Sequence, residues 1–347
     1  MRAERLMGLP PYGKVPPSVL KEAVFTRLGV ADGRVLVGPK VGEDAAVIDM
    51  GDRVLVAHCD PITGATWNLG WLAVNVAAND VASRGARPKW LLLALLLREG
   101  GERGELEAIL SQVDEACRRL GIAVVGGHTE LVAGLPRTVA AATVMGEARR
   151  ACFVTSSGAR PGDVVLLTKG ACIEGAAIMA HELAEPASRR VAHSDLDYLR
   201  SFIWRVSVVP EAMAAVEAGG VTAMHDATEG GVLGALQELA WASNVGVKVF
   251  EEEVGVDPAV KRLCEALSVD PLKTISSGTL LIVAERRRAR DVVEAVRAVG
   301  VEVYEAGVVT EPKEGVRLVR RDGSVEELKE PVEEELWKAL KRHGWSG

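Results

Sequence analysis

LGWLAVNVAANDVAS, residues 69–83, carries small and apolar residues at helical spacing, and Gly85 and Pro88 stop it. It predicts a helix set among strands. Upstream, Ala45–Ile48 and Val54–His58 are β-like runs joined by the turn Asp49-Met50-Gly51-Asp52. Downstream, the apolar run Trp90–Leu97 predicts a strand. Leu106, Ile109, Leu110, Val113, Cys117 and Leu120 mark one face of a helix that Gly121 ends. Ile122–Val125 and Thr138–Gly146 read as strands on either side of a loop, Gly126-Gly127-His128-Thr129-Glu130. Before all this, residues 1–40 read as irregular, broken by Pro10, Pro11, Pro16 and Pro17, with one short amphipathic helix in SVLKEAVFTRLG.

A second unit begins near residue 152. VVLLTKG predicts a strand, followed by helices at about 173–184 and 209–218. Val221–His225 is a strand, and Asp226-Ala227-Thr228-Glu229-Gly230-Gly231 leads into a helix over Val232–Ser243. Val245–Phe250, Gly278–Ala284, Val301–Val309 and Val316–Arg320 read as strands, with helices at Asp257–Leu267 and Arg286–Val299. The division is an N-terminal extension (1–40), two mixed α/β units (41–150 and 151–325) and a helical tail (326–347), in which Leu336, Trp337 and Leu340 fall at helical spacing.

Bulk properties remove several function classes. The 347 residues suit two domains, with 48% hydrophobic and 26% charged residues, an ordinary globular balance. The net charge of −7 and the lack of a basic block argue against nucleic acid; Arg286–Arg288 with Arg290 reads as a solvated helix face. No apolar run approaches the roughly 20 residues of a membrane span, and MRAERLMGLPPYGK has no signal core, so a soluble, cytoplasmic chain is expected. Cys59, Cys117, Cys152, Cys172 and Cys264 form no CxxC pair, which argues against a zinc site or a disulfide framework. Only 4 Asn and 2 Gln are present, a composition that leans toward a thermophile. Neither GxGxxG after a strand nor GxxxxGK[ST] occurs, so any nucleotide is held in another way.

Acidic and polar clusters recur at strand ends and helix starts: Glu43-Asp44, Asp60, Asn79-Asp80, His128-Thr129-Glu130, and Asp226 to Glu229. Magnesium takes hard oxygen ligands, typically one or two carboxylates with phosphate oxygens. Each cluster alone has a plain structural reading: Asp60 before Pro61 as a turn starter, Asp80 as a surface residue, Asp226 as a helix cap. Three of the clusters lie in small-residue sequence (GEDAA, GGHTE, DATEGG) that lets a ligand approach and lets backbone N–H groups face phosphate.

Taken in order, VGEDAAVI, HCDPITG, LGWLAVNVAANDVASRGARP, VVGGHTE and HDATEGGVLGALQELAWAS resemble the motifs of the aminoimidazole ribonucleotide (AIR) synthase superfamily, over residues 12 to 310. Within it the pattern is most similar to the hydrogenase maturation factor E group. The resemblance implies an α/β (α+β) two-domain fold, the N-terminal domain contributing four strands to a β-barrel shared between the subunits of a homodimer. It implies ATP and Mg²⁺ in a cleft between the domains, with Asp44, Asp60, Asp80 and Asp226 on the metal. Asn79, Gly126, Gly127, His128, Thr129, Gly230, Gly231 and Lys14 would lie around the nucleotide. The shared chemistry is phosphorylation of a poor leaving oxygen on an acceptor.

The chain also departs from its relatives. The maturation factor carries a thiocarboxamide on a C-terminal cysteine, whereas this sequence has none after Cys264 and reads LWKALKRHGWSG over its last residues. His128 stands where that group has aspartate, as in the selenophosphate synthetase pattern, and GEDAA replaces the GDDAA of thiamine-monophosphate kinase. Three functions therefore stay open: an ATP-dependent enzyme with an unknown acceptor, a nucleotide-binding accessory or assembly protein, and a small-molecule kinase. Cys59 and Cys172 are expected to be packed residues rather than nucleophiles, and His225 a satisfied strand-end residue.

Overall fold

In the computed structural model, residues 13–63 and 67–344 are described; Pro10, Pro11 and the last three residues lie outside that range. A single turn, α1 (Pro17–Val19), runs into a short π-helical stretch, Leu20–Val24. The first domain is then β1 (Val35–Val37), β2 (Ala46–Asp49), β3 (Arg53–Ile62), α2 (Leu69–Ser83), β4 (Arg87–Leu97), α3 (Arg103–Leu120), β5 (Ala123–Leu131) and β6 (Val139–Arg149). Its strands form one sheet in the order β1-β2-β3-β6-β4-β5, antiparallel except for the parallel pair β4–β5. Alternation sets the buried face: Val54 and Val56 on β3, and Ala140, Ala142 and Val144 on β6, are fully buried. They receive α2, every residue of which is buried. A helix that is apolar and small on all sides must be covered on all sides. Here β3, β6 and α3 cover part of it, and α7 and β8 of the second domain cover the rest. That burial is why this one helix can carry Asp80 into the space between the domains.

The second domain runs β7 (Val164–Thr168), α4 (Ile173–Glu182), α5 (Ala184–Ala187), α6 (His193–Arg200), α7 (Val209–Ala218), β8 (Val221–Asp226), α8 (Gly231–Ser243), β9 (Gly246–Phe250), α9 (Pro258–Leu267), β10 (Leu280–Ala284), α10 (Ala289–Ala298), β11 (Val303–Thr310), β12 (Val316–Val319), β13 (Val325–Glu327) and α11 (Glu335–Arg342). The seven strands order as β13-β12-β9-β11-β7-β10-β8, antiparallel except for β9–β12. All five residues of β7 and of β10 are buried, so both sheet faces are covered there. The result is a two-domain α+β fold with mixed sheets.

Three sequence expectations need correction. Gly126 to Glu130 is not a loop: it is the middle of β5, paired in parallel with Leu92–Leu96. Gly127 answers a steric demand, because a Cβ there would lie 1.9 Å from the Leu93 carbonyl oxygen, beside a register shift at Leu91/Leu92. The extension over residues 1–40 contains β1, an edge strand. The helix expected from Arg286 starts at Ala289, and α5, α6 and β13 were not foreseen.

Candidate functional site

Four carboxylates reach one place from four elements. Asp44 precedes β2, Asp60 lies on β3, Asp80 on α2, and Asp226 ends β8. Burial, together with the negative charges of Asp226, Asp44 and Asp60, pushes Asp80 well above the usual carboxylate range, and Arg84 opposes this only in part. Asp226 is pushed up to about 6, by burial first and by Asp44 next. Both of its carboxylate oxygens are buried without a hydrogen-bond partner. Desolvation likewise raises Asp60.

Two histidines tie the cluster together. His58 Nε2 lies 3.2 Å from Asp80 Oδ2, and its Nδ1 meets the Asp44 carbonyl. His225 Nδ1 lies 3.2 Å from Asp44 Oδ2, and its Nε2 3.2 Å from Glu238 Oε2. Desolvation works against charge on His225, but Asp44, Glu238 and Asp226 outweigh it and lift its pKa to about 9. With each ring nitrogen 3.2 Å from a carboxylate, His225 offsets part of the cluster's negative charge. Glu238 is drawn down to about 2: burial opposes this, and Lys14 and His225 prevail.

Of the four carboxylates, Asp60 lines a cleft of about 810 Å³ between the domains, whose walls also include Lys14, Glu174, Glu229, Ser277 and Trp337. Lys14 reaches Glu238 at 3.5 Å and Thr228 Oγ1 at 3.4 Å. Desolvation disfavours its charge, yet Glu238, Asp44, Glu229 and Asp80 together raise its pKa. Half of its side chain stays open to solvent, within reach of an anion in the cleft. The tail closes one side. Glu334, at the start of α11, accepts from the backbone N–H groups of Gly230, Ile275 and Leu336, and Trp337 Nε1 donates to Glu229 at 3.3 Å.

The residues singled out by sequence fall into two groups. Asp44, Asp60, Asp80, Asp226 and Lys14 are brought together. The rest of the set is not drawn into the cluster. Asn79 is committed at both ends of its amide, donating to the Val206 carbonyl and accepting from the Val208 N–H, each at 2.8 Å, so it braces the domains. Gly126, Gly127, His128 and Thr129 sit on edge strand β5, exposed over all nine of its positions and three strands away from Asp60's strand in the sheet order. Gly230 donates to Glu334, and Gly231 is required sterically: at φ +61° a Cβ there would lie 2.6 Å from the Thr274 carbonyl oxygen. Glu43 is turned away from the cluster into an ion pair with Arg84. Sequence reasoning missed Glu174 and Glu238. Both had a signal, a lone carboxylate in an otherwise small and apolar run, ACIEGAAIMA for Glu174 and GVLGALQELAWAS for Glu238.

The oxygen-rich donor set fits Mg²⁺. Four carboxylates crowd one another, and both oxygens of Asp226 have no partner, a set of hard oxygen donors of the kind a divalent ion takes. Asp44 and Asp226, with His225, place ligand atoms within 4.8 Å of one another.

Comparison with known proteins agrees with the two-domain fold. The model of the AIR synthase related protein N-terminal domain matches residues 42–148, and that of the C-terminal domain matches residues 160–320. The chain is 31% identical over 308 residues to the carbamoyl dehydratase HypE of Escherichia coli K12, covering 85% of this chain and 88% of that one. It is 26% identical over 303 residues to a putative hydrogenase expression/formation protein of Methanocaldococcus jannaschii, covering 86% and 87%. A crystal structure of the hydrogenase maturation protein HypE in complex with ATP superposes with a TM-score of 0.70 at 22% identity, over 90% of this chain and 94% of that one, a likeness of fold.

Proposed function

Because the chain belongs to the AIR synthase related proteins, we propose that it is an enzyme that uses Mg²⁺ and ATP to phosphorylate an oxygen of an acceptor held in the interdomain cleft. The observation that carries this reading is the convergence of Asp44, Asp60, Asp80 and Asp226, with both Asp226 oxygens unpartnered, beside a cleft that Asp60 and Lys14 line. The four carboxylates would hold the metal, and Lys14 would meet phosphate oxygens. His58 and His225 would fix the carboxylates' orientation, as partners behind a metal site do. When bound, Mg–ATP would supply the transferable phosphoryl group; the chain's own share is positioning and electrostatic stabilisation.

A homodimer is part of the proposal. β5 is paired on one side only, and Val124, Val125 and Leu131 are exposed along it. An apolar free strand edge in a soluble fold calls for a cover. A second copy of the chain is the cover proposed here, closing the open sheets into a shared barrel and taking Gly126, Gly127, His128 and Thr129 into the interface.

Titration calorimetry with Mg²⁺ and a non-hydrolysable ATP analogue tests the reading. Wild type should bind, and Asp226→Asn and Asp80→Asn should lose Mg-dependent binding while keeping the fold. A wild-type chain that gives no heat at millimolar nucleotide would sink the proposal.

A further inference from the structure

We propose that Cys172 and Cys264 form an oxidisable dithiol, and that a peroxide converts the pair into a disulfide that bolts α9 to the start of α4. Cys172 immediately precedes α4, and Cys264 lies on the buried face of α9 with Val260, Leu263 and Leu267. The two helices pack against each other, and the two thiols are in hydrogen-bond contact. Neither residue is more than 1% exposed, so packing on all sides holds the sulfurs together. Local features set the Cys172 sulfur in place. Its backbone has φ +63°, a left-handed conformation that a residue other than glycine keeps only where its surroundings fix it. The Ala176 N–H in the first turn of α4 donates to the sulfur. Gly175 leaves room for it, because a Cβ there would lie 3.2 Å from Cys172 Sγ. From this contact the sulfurs have only to close to the bonded distance of about 2.0 Å.

Access runs from the α9 side, away from the interdomain cleft. Cys264 lines a second cavity, of about 220 Å³, with Val256, Lys261, Val269, Leu272 and Arg321. Hydrogen peroxide is small and uncharged, so it can enter such a space without losing a charged group's hydration. Cys172 is not part of that lining, so the oxidant meets Cys264 first. The Cys264 sulfur attacks one peroxide oxygen, and the O–O bond breaks. The other oxygen leaves as water with the thiol proton, and Cys264 becomes a sulfenic acid. The Cys172 sulfur then attacks the sulfenic sulfur. The S–O bond breaks, and the hydroxyl leaves as water with the Cys172 proton. Two thiols are oxidised to one disulfide, and one peroxide is reduced to two waters. The product ties α9 to the turn that carries Glu174 to the cleft wall. It also closes a long loop of chain, which stabilises the fold.

The test treats the fully reduced, folded chain with hydrogen peroxide until Cys59, the exposed thiol, is oxidised. The protein is then denatured, alkylated and digested without reductant. Peptide mass spectrometry should find a peptide pair joined through Cys172 and Cys264, two hydrogens lighter than its separate parts, that dithiothreitol resolves. The thermal unfolding midpoint should rise by about 5 °C or more on oxidation and return on reduction. Cys172→Ala should leave Cys264 as a sulfenic or sulfinic acid and abolish the rise. If that variant does not fold, the wild-type peptide map decides alone. Cys172 and Cys264 both recovered as alkylated thiols beside an oxidised Cys59 would overturn the proposal. So would either of them joined to a different cysteine, or a midpoint rise that persists in Cys172→Ala.

Discussion

Arg84 Nη1 lies 2.6 Å from Glu43 Oε2, and both side chains are completely buried. The pair joins the two domains. Arg84 Nη2 also donates to the Met224 carbonyl of β8 at 3.0 Å, and Glu43 accepts from the Ser156 N–H and the Ser157 hydroxyl at the start of the second domain. Arg84 further touches Asp44 Oδ2 at 3.2 Å, so the pair that locks the domains also anchors one carboxylate of the site.

Removing one partner should therefore be costly. Arg84→Met leaves the buried Glu43 carboxylate with only the half-exposed Lys40, at 3.5 Å, as counter-charge, and the expected loss is about 3 kcal/mol of unfolding free energy. Urea denaturation followed by far-UV circular dichroism measures it. A loss below about 1 kcal/mol would show that the pair is not the joint described here.

Stability should fall as the pH rises through the weakly acidic range. Burial pushes both Glu174 and Glu334 from 4.5 to about 7. Between those values the native chain holds protons that the unfolded chain has released, so each group makes stability decline with pH by at most about 1.4 kcal/mol per unit. The penalty is absent below about 4.5 and complete above about 7. Glu174→Gln should remove its share, so the difference in unfolding free energy between variant and wild type should grow from pH 5 to pH 7.5. A difference that is flat across that range would mean that Glu174 titrates normally in the fold.

The free edge of β5 predicts the oligomeric state. Light scattering at micromolar concentration should give twice the 36.8 kDa chain mass. Val125→Lys, placed on a side chain that is 52% exposed in the single chain, should give the monomer mass with unchanged secondary structure. A wild type that is already monomeric would require another cover for Val124, Val125 and Leu131.

The sequence was most legible where one pattern served one purpose. The alternation in Val54–His58 and the small-residue run Leu69–Ser83 could only be a half-buried strand and an enclosed helix, and the structure has both. The site was harder, because a carboxylate facing a ligand and one held in a buried ion pair need the same small neighbours. Glu43 and Asp44 are adjacent in GEDAA, yet Glu43 turns to Arg84 while Asp44 joins the cluster. Asn79 and Asp80 divide in the same way, one residue of helix rotation sending Asn79 to the Val206 and Val208 backbone. Gly126-Gly127 read as a loop because glycine marks both loops and close backbone approaches, and only the distance to Leu93 separates the two. Glu238 reaches the cluster by a contact 13 residues away in sequence, with His225, that no local pattern encodes.

The thiol inventory bears on carrier chemistry. A carbamoyl carrier needs a sulfur that can be loaded by a partner and then presented to the cleft. Cys117, Cys172 and Cys264 are buried; burial raises the thiol pKa of Cys117 to about 11, and a hydrogen bond with Cys264, then burial, raises that of Cys172 well above its ordinary value, which keeps both protonated and unreactive toward a carbamoyl donor. Cys152 is half-buried in the turn after β6. Cys59 is exposed, but it lies within β3 with ladder partners on β6, fixed in a strand rather than carried on an arm. At the cleft, the segment next to Glu229 is α11, whose Leu336, Ala339 and Leu340 are buried and whose Glu334 is held by three backbone N–H groups, so it is seated as a wall. Incubated with a carbamoyl-transferring partner, carbamoyl phosphate and ATP, the protein should keep its unmodified mass in intact-protein mass spectrometry. A carbamoyl or cyano adduct on Cys59 would show that a strand-borne thiol beside Asp60 suffices as carrier, and would make the acceptor a group carried on the chain itself.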